Sequence, residues 1–491
     1  MSNQGTIVTT SLGAVKGTTH QGVYSWRGIP YAQPLKESRM FAPPVPSKKW
    51  DGVLDATSYS GICPQRSLLR TKISDSCLTL NIWSPHADES ARPVLFFIHG
   101  GSFSHGAGSE SLYNGAYLAK TWNIVVVTCN YRLGAFGFLD FSFLDKRCTS
   151  NNGVRDVLLA LQWVQNHIAD FGGDPNLVTI AGQSAGGTMV SALVTTPQAK
   201  TLFHRAIMMS GGPTQLQSVQ TCIKTSKEFI ALLQVSTAQE LFSLDFDTII
   251  LAQKKFIKKY GMGAATFRIT VDESLIPQFP IVAALKKNTA PIPLLIGTTK
   301  AEMGFMAIKP LARLIDVGKI VSDGLQLETP EIRNQLLDTY NDLYGEQKGL
   351  PMLYTDLLFR ISSIWLAQAH HQTWMYRFDY ETRFLQMNGL HAIHSTDLPY
   401  VFGNFKTVMA RPLFLMTTDM APVYAIAQEI QSDFVFFMHN GTLPWTYCTQ
   451  EEACGRCYKV PPSVELMVHE TLIPLYVQTN YHARSHQGIG L

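Results

Sequence analysis

Ser184 is the residue of this sequence best placed to act as a nucleophile. It is the centre of a G-x-S-x-G pattern at residues 182–186, between a short apolar run at 178–181 and small residues that can begin a helix. This strand–turn–helix arrangement is called a nucleophile elbow. The serine backbone in it is strained, so the neighbouring residues must be small to avoid clashes. The turn also exposes the serine Oγ above the edge of the sheet. The same five residues also occur as an ordinary glycine turn. The strand before them and the helix after them favour the nucleophile.

A serine hydroxyl needs a base within hydrogen-bond reach and a carboxylate that orients this base. In α/β-hydrolases the acid precedes the histidine along the chain. Glu302 is our candidate acid because it lies in the loop after an apolar run at 293–296 that reads as a strand. The later loop at 389–403 offers two candidate bases, His391 and His394, and the chemistry alone does not choose between them.

Ester hydrolysis also needs backbone N–H groups that bind the negative charge developing on the carbonyl oxygen. The glycine-rich sequence HGGSF at 99–103 directly follows an apolar run at 94–98 and is suited to this role. Ser102 keeps its donor because the N–H belongs to the backbone. Ala185, at the start of the helix after the elbow, is a further candidate donor.

The elements around these residues alternate between strand and helix. Residues 94–98 and 124–129 are continuous apolar runs, typical of strands that are covered on both faces. Residues 152–169 repeat apolar positions every three or four residues, which predicts an amphipathic helix, and 206–209 reads as a further strand. The alternation predicts an α/β fold with a mostly parallel central sheet flanked by helices.

Residues of about 215–290 are richer in helix-like pattern and less regular. We interpret them as a helical, cap-like insertion in a single domain that spans residues 1–491. No internal repeat or low-complexity linker indicates separate modules.

Composition narrows the class of protein. Of the 491 residues, 46% are hydrophobic and 16% charged, and 40 basic against 37 acidic side chains give a net charge of +3. This near-neutral balance indicates neither a nucleic-acid partner nor a membrane partner. No apolar run approaches the about 18 residues that span a bilayer, and the N-terminus lacks the pattern of a secretory signal. We expect a cytoplasmic protein that acts on a small-molecule ester, and the sequence leaves its oligomeric state open.

Eight cysteines are too sparse for a disulfide-dense scaffold. Cys454 and Cys457 form a single C-x-x-C with Cys448 upstream, and no second pair or histidine cluster completes a zinc site. We expect a loop of ordinary thiols or one local disulfide there, with no metal and no cofactor.

Several long motifs, in this order, resemble the type B carboxylesterases, a family that includes the cholinesterases, and among them the bacterial para-nitrobenzyl esterases in particular. The resemblance runs from about residue 26 to 440 and implies an α/β-hydrolase fold. It is carried by HGGSF (99–103), NYRLGAFGFL (130–139), LALQWVQ (159–165), FGGDPNLVTIAGQSAGG (171–187), GTTKAEMG (297–304) and AIHSTDLPYVFG (392–403).

The resemblance implies a catalytic triad of Ser184, Glu302 and His394. It selects His394 because this histidine precedes the D-L-P-Y-V-F-G sequence. It also implies that the oxyanion hole consists of the backbone N–H groups of Gly101, Ser102 and Ala185. By the same resemblance, Gly100 shapes the turn that presents Gly101 and Ser102.

Three further roles follow from the resemblance alone. Ser210 resembles a serine that holds the acid, and Asp397 a carboxylate near the histidine. Cys63 and Cys77 match the family's first disulfide.

The sequence also departs from the family. Members usually carry Glu before the nucleophile, but this chain has Gln183. The spacer between Cys63 and Cys77 holds no aromatic residue, whereas cholinesterases place there a tryptophan that binds choline by a cation–π contact. We therefore expect choline esters to be poor substrates.

The residues and the resemblance together predict a serine carboxylesterase that hydrolyses uncharged carboxylic esters through an acyl-enzyme intermediate. Two alternatives are a catalytically silent binding protein of the cholinesterase-like type and an interfacial lipase. The first would have lost a member of the triad, and the second would need a large apolar lid.

Overall fold

The computed structural model describes residues 6–66, 71–260, 266–307, 330–450 and 452–472. Residues 1–5, which enter the expectation about a secretory signal, lie outside the described residues. The chain divides into two units. Unit 1 is made of residues 1–181, 197–204 and 217–275, and unit 2 of residues 182–196, 205–216 and 276–491. One domain with a cap-like insertion remains a prediction.

The strands of the described residues are numbered in chain order. They are β1 (Ile7–Thr10), β2 (Gly13–Lys16), β3 (Thr18–His20), β4 (Val23–Pro30), β5 (Val53–Asp55), β6 (Thr79–Ser84), β7 (Arg92–Ile98), β8 (Val125–Cys129), β9 (Gly173–Gln183), β10 (Arg205–Met209), β11 (Gln217–Ser218), β12 (Thr270–Val271), β13 (Leu294–Thr299), β14 (Thr373–Phe378), β15 (Cys454–Tyr458) and β16 (Ser463–Leu466).

The α-helices of the same residues are numbered in the same way. They are α1 (Ala116–Trp122), α2 (Gly134–Phe138), α3 (Asn152–His167), α4 (Ala185–Leu193), α5 (Val219–Leu233), α6 (Ala238–Ser243), α7 (Phe246–Tyr260), α8 (Pro280–Leu285), α9 (Pro330–Tyr344), α10 (Glu346–Thr355), α11 (Ile361–Ala369), α12 (Arg383–Met387), α13 (Leu398–Phe402), α14 (Arg411–Phe414) and α15 (Ala421–Asn440).

Unit 1 holds strands in the order β9, β7, β8, β6, β4 and β3. β7 and β8 are parallel, whereas β8 with β6, β6 with β4 and β4 with β3 are antiparallel. β6, β7 and β8 are buried at every residue, as expected of strands that are covered on both faces. The first hairpin pairs β1 with β2, and β5 joins β2 in a separate sheet.

The predicted amphipathic helix is present as α3. Val154, Val157, Leu161 and Val164 are buried along one face. The helix ends two residues earlier than predicted because its last turn tightens into a 3-10 helix over Ile168–Phe171. Residues 219–260, within the expected insertion, contain the helices α5, α6 and α7.

Unit 2 holds strands in the order β10, β13, β14, β15 and β16. The pairs β10–β13, β13–β14 and β14–β15 are parallel, and β16 is antiparallel to β15. Gly297 in β13 has to be glycine because a Cβ there would lie 1.8 Å from Cζ of Tyr376. The ring of Tyr376 can therefore lie directly across β13.

No strand or helix is predicted beyond residue 440, so β15 and β16 are additions from the structure. Cys454 and Cys457 lie within β15, and the prediction that they stand in a loop was wrong. They are three residues apart on a strand and point to opposite faces, and both are free thiols.

None of the helices in the described ranges combines the length and the apolar character that crossing a bilayer requires.

Candidate active site

Ser184 stands in the strained turn that the sequence predicts, between β9 and α4. Its backbone has φ 58° and ψ −123°, a conformation that costs free energy for a non-glycine residue. The N–H of Ser184 donates to the carbonyl of Met209 at 2.9 Å. A Cβ on Gly182 would lie 2.3 Å from the carbonyl oxygen of Gly186, so the small residues of the motif are a steric requirement of the turn.

Glu302 and His394 form a direct pair. Nδ1 of His394 lies 2.6 Å from Oε2 of Glu302, and the N–H of Thr299 donates to the other carboxylate oxygen at 2.7 Å. Burial raises the pKa of Glu302, but the hydrogen bond and charge of His394 and the N–H of Thr299 outweigh it and hold the pKa below its usual value. The carboxylate therefore stays ionised and binds Nδ1–H, which leaves Nε2 as the proton acceptor.

Backbone hydrogen bonds join the loops that carry this pair. The N–H of His394 donates to the carbonyl of Glu302 at 3.2 Å, and the N–H of Ala301 donates to the carbonyl of Ala392 at 3.0 Å. Two bonds in opposite directions fix the acid loop against the histidine loop.

Nε2 of His394 faces the elbow, where Gln183 contacts it. The side-chain nitrogen of Gln183 lies 3.2 Å from Nε2 of His394 and 2.8 Å from Oγ of Ser395. Among the described residues, the hydroxyl of Ser184 makes no hydrogen bond with His394. Bonds of this kind often form only when substrate is bound. The structure thus brings together the candidate acid Glu302, the candidate base His394 and Gln183, the residue before the candidate nucleophile.

His391, the alternative base, is engaged on both ring nitrogens. Its Nδ1 lies 2.8 Å from Oε1 of Glu381, and Nζ of Lys348 lies 2.9 Å from its Nε2. The same Glu381 oxygen accepts from Nζ of Lys300 at 2.9 Å. A histidine held in this way has no free nitrogen for a substrate proton, so the geometry favours His394.

Asp397 is a buried carboxyl group directly before α13. Burial and the negative charge of Glu302 raise the pKa of Asp397 to about 7. The hydroxyl of Tyr376 donates to one of its oxygens at 3.2 Å. Two neighbouring carboxyl groups thus differ in charge, since Glu302 is ionised while Asp397 holds a proton below neutral pH.

Ser210 follows β10, and its N–H donates to the carbonyl of Gly297 at 2.7 Å. Its buried hydroxyl falls short of full hydrogen-bond geometry with any described residue. It still lies close enough to Glu302 to help lower the pKa of that carboxyl group.

In unit 1, the candidate oxyanion loop has left-handed backbone at three consecutive residues, with φ 109° at Gly101, 53° at Ser102 and 56° at Phe103. A Cβ on Gly101 would lie 1.9 Å from the carbonyl oxygen of His105, so only glycine fits. The carbonyl of Gly100, the residue before, lies 2.8 Å from Nδ1 of His99. In unit 2, Ala185 is the first residue of α4. The role of Gly101, Ser102 and Ala185 as an oxyanion hole remains a prediction.

Cys63 and Cys77 are buried neighbours, with Sγ atoms 2.7 Å apart and no covalent bond between them. Burial, followed by the contact with Cys77, raises the pKa of the Cys63 thiol. Residues 67–70 of the intervening spacer lie outside the described residues. The disulfide remains a prediction.

One cluster in the described ranges has groups that are close enough to share a metal ion, namely Asp379, Cys457 and Glu465. Arg377 occupies it, with Nη2 at 2.7 Å from Asp379 and 3.1 Å from Glu465. Lys459 pairs with Glu465 as well. The carboxylates are neutralised by these cations, so we assign no metal to the cluster.

A model of the carboxylesterase family matches residues 4–441. The chain belongs to the carboxylesterase family. The para-nitrobenzyl esterase of Bacillus subtilis (strain 168) is 37% identical in an alignment of 450 residues, which covers 89% of this chain and 90% of that protein. The cocaine esterase of Homo sapiens is 32% identical over 438 residues, 80% of this chain and 76% of that one.

Solved structures agree with this assignment. The crystal structure of a carboxylesterase from Geobacillus stearothermophilus matches with a TM-score of 0.84 at 31% identity, over 96% of this chain and 99% of that one. The predicted α/β-hydrolase fold, with its mostly parallel sheet and flanking helices, is thereby confirmed. This carboxylesterase is a hydrolase of small-molecule carboxylic esters.

Sequence reasoning missed several side chains that support the site. The ring of Phe359 lies against His394, with centroids 5.1 Å apart. Arg360 donates to the carbonyl oxygens of Thr299 and Lys300 at 3.0 and 2.6 Å, just before the acid. A buried arginine has to find partners, which was the one signal available, but the sequence does not show where they are.

Proposed function

We propose that this carboxylesterase hydrolyses uncharged esters through an acyl-enzyme on Ser184, with His394 as general base and Glu302 as the group that orients it. The observation that carries the proposal is the 2.6 Å contact between Nδ1 of His394 and Oε2 of Glu302. This contact fixes the tautomer, and the bond to Gln183 shows that Nε2 faces the elbow.

The steps follow from these positions. Oγ of Ser184 attacks the carbonyl carbon of the ester while Nε2 of His394 takes the hydroxyl proton. The C=O electron pair moves to the oxygen, where the N–H of Ala185 is suited to bind it, together with Gly101 and Ser102 in the role that the resemblance implies. Collapse expels the alcohol, which receives the proton from His394.

Deacylation repeats the chemistry with water. His394 takes a proton from a water molecule, whose oxygen attacks the acyl carbon. The released proton returns to Oγ of Ser184 as the acid leaves. Glu302 stays ionised throughout and stabilises the imidazolium.

The proposed substrate class follows from the charges around Nε2. Gln183 is neutral, and Glu302 is fully buried and paired with Nδ1. Phe359 offers an aromatic face beside His394. We propose small uncharged esters, including the para-nitrobenzyl esters named for the Bacillus subtilis relative, with residues 1–491 acting as one cytoplasmic domain.

The test is hydrolysis of p-nitrophenyl esters of increasing acyl length by the purified protein and its Ser184→Ala variant. We expect short acyl chains to react faster than long ones and Ser184→Ala to be inactive. Full activity of Ser184→Ala would refute the proposal. A preference for long chains that rises steeply above their solubility limit would favour an interfacial lipase.

A further inference from the structure

We propose that Gln183 is a positioning residue whose side-chain amide donates a hydrogen bond to Nε2 of His394 and holds the imidazole in its neutral, proton-accepting form. The inference rests on the proposed role of His394 as base. Gln183 is 2% exposed, and its amide nitrogen lies 3.2 Å from Nε2 of His394 and 2.8 Å from Oγ of Ser395. Both amide hydrogens therefore have an acceptor.

The direction of the bond follows from the partner on the other side of the ring. Glu302 is ionised and 2.6 Å from Nδ1, so Nδ1 carries a hydrogen in either charge state of the ring. In the neutral imidazole, Nε2 has a lone pair that accepts the amide N–H. In the imidazolium, Nε2 carries a hydrogen as well, and two donors then face each other. The amide of Gln183 thus stabilises the neutral ring relative to the charged one.

The other groups around the ring do not cancel this effect. The titratable groups that face His394 among the described residues are Glu302 at Nδ1 and the buried Asp397, which senses the charge of His394. Phe359 and Ser395 add an uncharged ring and a hydroxyl. A substitution at Gln183 leaves these four side chains in place. Its effect on His394 can therefore be attributed to the amide of Gln183.

The contact has one consequence for turnover. The amide of Gln183 occupies the Nε2 lone pair that must accept the proton of Ser184, so the amide has to move aside when substrate brings the hydroxyl to Nε2. A glutamate at this position would instead stabilise the charged ring, since a carboxylate accepts from the imidazolium.

The experiment compares the pH dependence of kcat/KM, measured with a neutral p-nitrophenyl ester, for the wild type and for Gln183→Met, Gln183→Leu and Gln183→Glu. Met and Leu are neutral, of similar size, and lack the N–H. We expect the midpoint of the acidic limb to rise by about 0.7 pH unit in both, the size of one hydrogen bond, and to rise further in Gln183→Glu.

A midpoint at or below that of the wild type in Gln183→Met and Gln183→Leu would overturn the proposal. An unchanged midpoint would mean that the amide does not affect the charge state of the ring, and a lower one that the amide oxygen accepts from the charged ring. Unfolding curves identify any variant that is not folded, and the second neutral variant then decides. Ser184→Ala separates the two claims. If Ser184→Ala is inactive while the midpoints of Gln183→Met and Gln183→Leu equal that of the wild type, only the proposed role of Gln183 is refuted. An active Ser184→Ala would refute the proposed function itself.

Discussion

Nδ1 of His394 lies 2.6 Å from Oε2 of Glu302, a fully buried carboxylate 92 residues earlier in the chain. Because the N–H of Thr299 holds the other oxygen at 2.7 Å, the carboxylate has little freedom to turn. The imidazole is therefore oriented by a group that is itself fixed.

Glu302→Gln tests the charge of that carboxylate. The amide keeps the size of the side chain but cannot stabilise the imidazolium, and the ring is free to adopt the wrong tautomer. We expect kcat to fall by about 10³–10⁴, the loss seen when the orienting acid of a serine triad becomes an amide, with KM little changed. Steady-state kinetics with a p-nitrophenyl ester measures both, and a loss smaller than tenfold would speak against the role of Glu302.

His394→Gln and His391→Gln form a matched pair that tests which histidine is the base. Only His394 presents Nε2 toward the elbow, whereas both ring nitrogens of His391 are bonded to Glu381 and Lys348. We expect kcat to fall by at least about 10³ in His394→Gln and by less than about tenfold in His391→Gln. The reverse order of these losses would contradict the assignment.

Asp397→Asn tests a buried carboxyl group that is protonated in the folded state. Its pKa, raised to about 7, exceeds the about 3.9 of an unfolded chain, so the folded state binds the extra proton between these pH values. The contribution of Asp397 is fully present below about pH 4 and is lost as the pH rises through 7, by on the order of 4 kcal/mol.

Asparagine resembles the protonated form at every pH. Urea unfolding at pH 5 and pH 8 should therefore show a smaller fall in the free energy of unfolding for Asp397→Asn than for the wild type. Identical falls would show that Asp397 does not titrate in this way.

Arg360→Met tests the support of the acid loop. Arg360 is buried, pairs with the buried Asp356 at 2.5 Å, and donates to the carbonyls of Thr299 and Lys300. Its removal leaves the buried carboxylate of Asp356 without its paired cation, and we expect the free energy of unfolding to fall by about 3–5 kcal/mol. The double variant Asp356→Asn with Arg360→Met should recover part of this loss. A double variant as unstable as the sum of both singles would argue against the pairing.

The charge of the site is tested by comparing kcat/KM for a choline ester and for its uncharged isostere. In the isostere, carbon replaces the quaternary nitrogen. Since Gln183 is neutral and Glu302 is buried and paired, we expect the two kcat/KM values to agree within a few-fold. A preference of a hundredfold or more for the choline ester, about 2.7 kcal/mol, would mean that the site binds cations.

The G-x-S-x-G pattern was enough to predict the elbow at Ser184, because its glycines are required to avoid clashes within a single turn. Glu302 was predictable from its place after β13. The choice of His394 came from the family resemblance, and the structure adds a physical reason in the bonds that occupy His391. β15 was missed because its sequence, CGRCY, does not alternate regularly between apolar and polar residues. β16 does alternate, but over only four residues, the shortest run that indicates a strand. The bond from Gln183 to His394 joins residues 211 positions apart, so no local pattern reports it.

The central claim is that Ser184 forms a covalent acyl intermediate. The most direct measurement is mass spectrometry of the protein after reaction with a fluorophosphonate, which phosphonylates an activated serine as Oγ displaces fluoride. We expect one modification per chain, located on the peptide that contains Ser184 and lost in both Ser184→Ala and His394→Gln. A folded and active protein that remains unlabelled, or one labelled at a different serine, would contradict it.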